Sequence, residues 1–165
     1  MLIFFFYLKL FTMDRIDKKI LSLLQKDATL TVNQIAESVS LSTTPCWRRI
    51  QNLEKQGVID KRVTLLHRDP LNLGVDVFVA IKTSHHNAKW LKDLAKAVTA
   101  LPEVMEFYRM SGEIDYLMRV VVPDIASYDA FYKRLIDTVD IQDVSSSFAM
   151  ERIKYSTELP LDYAN

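Results

Sequence analysis

The chain has 165 residues, 49% hydrophobic and 25% charged, with 21 Lys/Arg balanced by 21 Asp/Glu. This is a folded globular composition, long enough for one domain or two small ones, and it excludes a disordered chain. A single cysteine, Cys46, rules out an intrachain disulfide framework and suits a reducing cytoplasm.

The neutral sum conceals an asymmetry. Met13 to Leu66 carries nine Lys/Arg against six Asp/Glu, a balance of +3, whereas His67 to Asn165 carries eleven against fifteen, a balance of −4. A mildly basic front half and an acidic back half suit a DNA-binding head on a body that is not drawn to DNA.

Residues 1–12, MLIFFFYLKLFT, are apolar but too short to span a bilayer, and they lack the basic start and cleavage site of a secretory signal. Met13 is read as the usual start and 1–12 as an extension outside the fold; the alternative is an apolar arm that packs on a partner subunit. No membrane association is expected.

From Asp14 to Gln25, Ile16, Ile20, Leu21, Leu23 and Leu24 give a helix one buried side. Asp14 and Asp17 sit favourably at its N-terminus and Lys26 at its C-terminus. The central stretch is TVNQIAESVSLSTTPCWRRIQNL, residues 31–53. Ile35, Ala36 and Val39 fall at helical spacing and Leu41 follows in a turn. Ser42 is placed to cap the next helix, and Pro45 fits its first turn, where no intrahelical N–H bond is lost. That helix turns Cys46, Ile50 and Leu53 inward, leaving Thr43, Thr44, Trp47, Arg48 and Gln51 on the opposite side, flanked by Arg49 and Asn52. Hydroxyls, an indole, a guanidinium and an amide on one exposed helix face equip it for a DNA major groove, with Arg49 and Asn52 toward phosphates. On pattern alone the stretch also fits a solvated helical hairpin. Gly57 then ends the helix in a left-handed turn. VIDKRVTLLH reads as extended chain, a small wing or connector whose Lys61 and Arg62 either meet phosphate or lie in a solvated turn.

After Asp69-Pro70 the period changes. Val75, Val77, Val79 and Ile81 alternate as a strand. Leu91, Leu94, Ala95, Val98 and Leu101 mark a helix stopped by Pro102. VMEFYRM and YLMRVVV are two strands around the loop Ser111–Asp115, and Tyr128, Phe131, Leu135 and Val139 mark a second helix. VSSSFAMERIKY, with Phe148 and Met150 alternating against Ser147 and Ala149, reads as the last strand. The order β-α-β-β-α-β is the ferredoxin-like plan, so the fold class is α+β: an N-terminal winged helix-turn-helix followed by a C-terminal ferredoxin-like domain. The expected boundaries are 13–66 for the DNA-binding domain, 67–73 for a connector, 74–159 for the ferredoxin-like domain and 160–165 for a tail. An open sheet face that still carries apolar residues is best covered sheet-to-sheet by a second copy.

The runs IDKKILSLLQKD, LSTTPCWRRIQNLEKQGVI and RMSGEIDYLMRVVV, in that order, resemble the Lrp/AsnC (leucine-responsive, or feast/famine) family of regulators from about Asp14 to Leu159. TTPCW, SGEIDYLMRV, YDAFYKRL and SSFAMERIKY are most similar to its cysteine-responsive type. The resemblance implies operator binding by the first domain and sensing of a small amino acid by the second. It also implies a homodimer that assembles into a tetramer or octamer. The effector would lie near the loop joining the second and third strands, here Ser111, Gly112, Glu113, Ile114, Asp115 and Tyr116. Asp115 suits the ammonium of a free amino acid, backbone N–H groups around Gly112 suit its carboxylate, and Ser145, Ser146 and Ser147 add hydroxyls. The same residues also read as a plain hairpin in which Gly112 turns and Asp115 caps.

Other chemistry is sparse. His85-His86 with a distant His67 form no metal-ligand pattern, and solvated loop histidines are expected. Cys46, near a helix N-terminus but on its apolar side, is read as packing rather than as a redox switch. No phosphate loop, nucleophile elbow or triad appears, so neither an enzyme nor a cofactor is expected. The alternative function is a metabolite-sensing module that binds protein rather than DNA.

Overall fold

A computed structural model of the chain describes residues 12–83, 88–138 and 141–164. Most of the apolar prefix, the His85-His86 pair and Val139 lie outside the described residues. The chain forms two compact units, one holding the chain up to Leu65 together with Lys154–Asn165 and the other Leu66–Ile153.

The first unit is built on three helices: α1 (Arg15–Lys26), α2 (Val32–Ser38) and α3 (Thr43–Lys55). Two start on capping boxes. The Asp14 carboxylate accepts from the Ile16 and Asp17 N–H groups while the Asp17 carboxylate accepts from the Asp14 N–H. Thr31 and Gln34 exchange the same pair of bonds at α2. These reciprocal bonds satisfy N–H groups that a helix leaves orphaned at its start. Ser42 occupies the N-cap of α3, but its side chain makes no capping bond, so the expected cap is positional only. Ser40 turns the chain between α2 and α3 in the left-handed region, at φ 57°. Gly57 takes φ +72° after α3, as its place in the sequence predicts.

Ile20, Leu21, Ile35, Ala36, Val39, Cys46, Ile50 and Leu53 are buried together as the core of this unit. The inward faces expected for the three helices are therefore the ones observed. Leu161, far away in sequence, packs on the same core. The segment bearing it is also bonded to α1. The Gln25 side chain donates to the Leu159 carbonyl and accepts from the Leu159 N–H at 3.3 and 2.6 Å, and Lys18 Nζ donates to the Ala164 carbonyl at 2.6 Å. No strand forms over residues 58–67, so the stretch read as a wing or connector carries no ladder of its own.

The second unit is a four-stranded antiparallel sheet of β1 (Val75–Lys82), β2 (Val104–Arg109), β3 (Tyr116–Val122) and β4 (Asp143–Phe148), in the spatial order β2-β3-β1-β4. Helices α4 (Ala88–Thr99) and α5 (Ile125–Thr138) follow β1 and β3. Strand residues alternate between faces. Val77, Val79 and Ile81 of β1 and Tyr116, Met118 and Val120 of β3 are buried with Leu94 and Val98 of α4 and Tyr128, Phe131 and Leu135 of α5. Both helices thus cover one face, which is the ferredoxin-like arrangement.

The opposite face carries Phe78 and Tyr108, both exposed, beside a charged network. Asp76 is buried between Arg68 (2.5 Å) and Arg119 (3.0 Å), and Arg119 also reaches Glu106 at 2.7 Å. Burial works to raise the Asp76 pKa, but bonds from the two guanidiniums overcome it and hold the carboxyl below its ordinary value. β4 is shorter than expected. Its pairing with β1 ends at Phe148 opposite Val77, followed by one bond from the Ala149 N–H to the Asp76 carbonyl. The ladder stops there, and Met150 is 97% exposed.

Candidate DNA-binding helix and effector loop

The first candidate site is the outer face of α3. Ser42, Thr43, Thr44, Trp47, Arg48, Gln51 and Asn52 are all exposed, Trp47 to 50%. The indole stands half-bare on the side of the helix opposite its buried face. Thr43 Oγ1 bonds Asn33 Oδ1 of α2 at 2.8 Å, which ties the start of α3 to the helix before it.

Arg49 behaves differently from its neighbour. Its Nη1 lies 2.7 Å from Asp14 and 2.8 Å from Asp17, so the guanidinium joins α3 to the capping box of α1. The Asp14 pKa is held low chiefly by the Asp17 N–H; burial opposes this, and the Arg49 guanidinium adds to the lowering. The charge expected to flank phosphates is thus committed inside the unit. Cys46 is fully buried, and burial pushes its thiol pKa up against a smaller opposing pull from Arg49, which agrees with packing rather than redox chemistry.

Sequence reasoning passed over Glu54. Gln51 Nε2 donates to its Oε2 at 2.7 Å, and Arg62 Nη2 donates to its Oε1 at 3.0 Å. Its position on the 47/51/54 stripe of α3 was the available sign.

The second candidate site is the loop between β2 and β3. Ser111, Gly112 and Glu113 are exposed and Gly112 takes φ +118°, a conformation that favours glycine. Asp115 is half-buried. Its backbone accepts from the Met110 N–H and donates to the Ile81 carbonyl, and its Oδ2 accepts from the Thr83 N–H at 2.8 Å. One carboxylate oxygen therefore fixes the chain just after β1. Tyr116 is buried between Phe107, stacked at 5.5 Å, and Trp90, tilted at 5.8 Å.

Ser146 lies on β4, across β1 from this loop, and its hydroxyl is bonded to the Tyr128 hydroxyl of α5. Burial raises the Tyr128 pKa despite that bond. The structure brings Ser111 to Tyr116 together but commits Ser146 elsewhere, while Ser145 and Ser147 remain exposed. Among the described residues no cluster of ligating side chains is placed for a metal, and no helix is long and apolar enough to cross a membrane.

A small helix-turn-helix unit with an exposed reading face, coupled in one chain to a ferredoxin-like unit, defines a DNA-binding regulator with a separate ligand-binding domain. Residues 13–60 match the winged helix-turn-helix DNA-binding family, and residues 76–159 the Lrp/AsnC ligand binding domain. The chain belongs to the Lrp/AsnC family of transcriptional regulators. It is 51% identical to the DNA-binding transcriptional activator DecR of Escherichia coli, over 91% of this chain and 99% of that protein. The glutamate uptake regulatory protein of Zymomonas mobilis is 48% identical over 90% and 91%. Among solved structures, an AsnC family transcriptional regulator from Agrobacterium tumefaciens superposes with a TM-score of 0.89 at 62% identity, covering 92% of this chain and 99% of that one. A transcriptional regulator from Neisseria meningitidis, solved as a complex with L-Met, gives 0.87 at 34% identity, covering 92% and 98%. These relatives are regulators rather than enzymes, and they do not favour a sensing module that binds protein in place of DNA.

Proposed function

We propose that the chain is a cytoplasmic, amino-acid-responsive regulator that reads its operator with α3. Thr43, Thr44, Trp47, Arg48 and Gln51 enter the major groove, and Ser42 and Asn52 lie toward the backbone. The observation that carries this reading is the exposure of that whole set around a helix whose inward face is buried. Arg49 supports the face by holding α3 to α1.

The effector is a small amino acid, with cysteine the first candidate. Ser111, Gly112, Asp115 and Tyr116 form the receiving loop, in which the Asp115 oxygen not bonded to Thr83 takes the ammonium. Ser146, across β1 and bonded to Tyr128, stands outside this receiving loop. Two copies pair over the sheet face that bears Phe78 and Tyr108, presenting two α3 helices to two half-sites, and dimers assemble into a tetramer or octamer.

The test has two arms. Binding to duplexes selected from a random library should weaken steeply with salt, in proportion to the phosphates neutralised. Thermal unfolding with each of the twenty amino acids should show a rise for the effector, about 2.7 kcal/mol at roughly 100 times its dissociation constant. Salt-insensitive binding without sequence preference would sink the DNA reading, and no shift with any amino acid would sink the sensing one.

A further inference from the structure

We propose that Glu54 is a specificity-positioning residue: it orients the Gln51 amide so that α3 prefers adenine to guanine at one base pair. The proposal rests on the reading of α3 as the groove-entering helix. A carboxylate only accepts hydrogen bonds, so the 2.7 Å contact with Glu54 requires the NH₂ end of Gln51 to face it. The amide cannot flip without losing that bond and setting its carbonyl oxygen against a carboxylate. Gln51 is exposed and keeps one N–H donor and its Oε1 acceptor for a ligand. Adenine offers N7 as acceptor and N6–H as donor in the major groove, which matches such a pair. Guanine offers two acceptors, N7 and O6, and leaves Oε1 facing O6.

The second oxygen of Glu54 serves a different end. A carboxylate on a helix face that meets DNA would be repelled by phosphates, and the Arg62 guanidinium at 3.0 Å neutralises it. Arg62 comes from the stretch beyond Gly57, so one carboxylate ties the reading helix to the chain that leaves it. With its charge already paired, Arg62 contributes little to phosphate binding while Glu54 is present.

Selection of bound sequences from a randomised duplex library, run with the full-length protein and the variants Q51A, E54Q and E54A, tests this. The wild type should favour adenine over guanine by about tenfold or more at one position of each half-site. Q51A should bring that position to parity. E54Q is close in size, but its amide both donates and accepts, so it tolerates either orientation of Gln51 and should reduce the preference to about threefold or less. Preferences elsewhere should be unchanged. E54A should do the same, and because both variants remove the anion paired with Arg62, both should strengthen binding to random duplex and steepen the salt dependence by about one unit of slope. Loss of a merely structural contact would lower affinity evenly and leave the adenine preference intact. A full preference in E54Q and E54A, or an unaltered sequence in Q51A, overturns the proposal while the DNA-reading function stands. If the wild type enriches no sequence, that function fails and the proposal falls with it.

Discussion

Arg48 and Arg49 are adjacent in the chain, yet the structure gives them different surroundings. Arg48 is exposed, whereas Arg49 bonds the carboxylates of Asp14 and Asp17. R48A should cost about 1–3 kcal/mol of operator binding and relax one base position if the guanidinium grips guanine. R49A should instead destabilise the first unit by about 1–3 kcal/mol through the loss of two charged hydrogen bonds. Segment-resolved hydrogen exchange separates the two, with R49A speeding exchange in α1 and α3 and R48A leaving it unchanged. The inward residues Cys46, Ile50 and Leu53 were legible from spacing alone. The partners of Arg49 were not, because they lie 32 and 35 residues away and no local pattern announces a tertiary ion pair.

Asp76 makes a second prediction at this scale. Its pKa in the folded chain lies below the ordinary 3.8, so the unfolded chain binds the proton more readily. The stability it contributes is fully present above about pH 4 and is lost as pH falls through the lower folded value. D76N should cost about 2–4 kcal/mol at neutral pH, since it leaves two enclosed guanidiniums without their anion. The gap between wild type and D76N should narrow below about pH 4. Trp90 lies in the second unit and Trp47 in the first, so denaturant unfolding in a W47F background reads this effect alone. A gap constant down to pH 2 would refute it.

Among the elements, the helices were the most legible, since each shows several apolar residues at a single period. The last strand was overestimated for a definite reason. Apolar and small residues continue to alternate past Phe148, but alternation is only half of a strand, and the ladder of β4 with β1 stops at Val77, with one further bond to the Asp76 carbonyl. The chain there turns to a different task, docking Leu159 and Leu161 on the first unit through Gln25 and the helical core. Nothing in PLDY marks a docking segment, because its partner surface exists only after α1 has packed. L161A, at a half-buried site, should cost that unit roughly 1–2 kcal/mol. Hydrogen exchange should quicken across α1 and α3 and stay unchanged in β1 and β3. Equal acceleration in both units would show that the segment does not belong to the first alone.

For the molecule as a whole, the change from helical to strand period near Asp69-Pro70 was enough to separate a helical head from a sheet-bearing body. The basic and acidic halves followed the same division. The loop proposed to receive the effector was legible as the connection between β2 and β3 but not as a geometry. Sequence placed Ser146 with Asp115, whereas pairing to β1 sets them on opposite sides of that strand and the Tyr128 hydroxyl occupies the serine. Register and rotamer, which decide such meetings, leave no trace in residue identity.

The return of the C-terminal segment to α1 also bears on how the protein is made. A ribosome releases the three helices first and the sheet next, but the bonds from Gln25 to Leu159 and from Lys18 to Ala164 wait for residues translated more than a hundred positions later. The DNA-reading head is therefore begun first and finished last. A nascent chain stalled after the sheet would carry a complete body and a head still missing its final clasp.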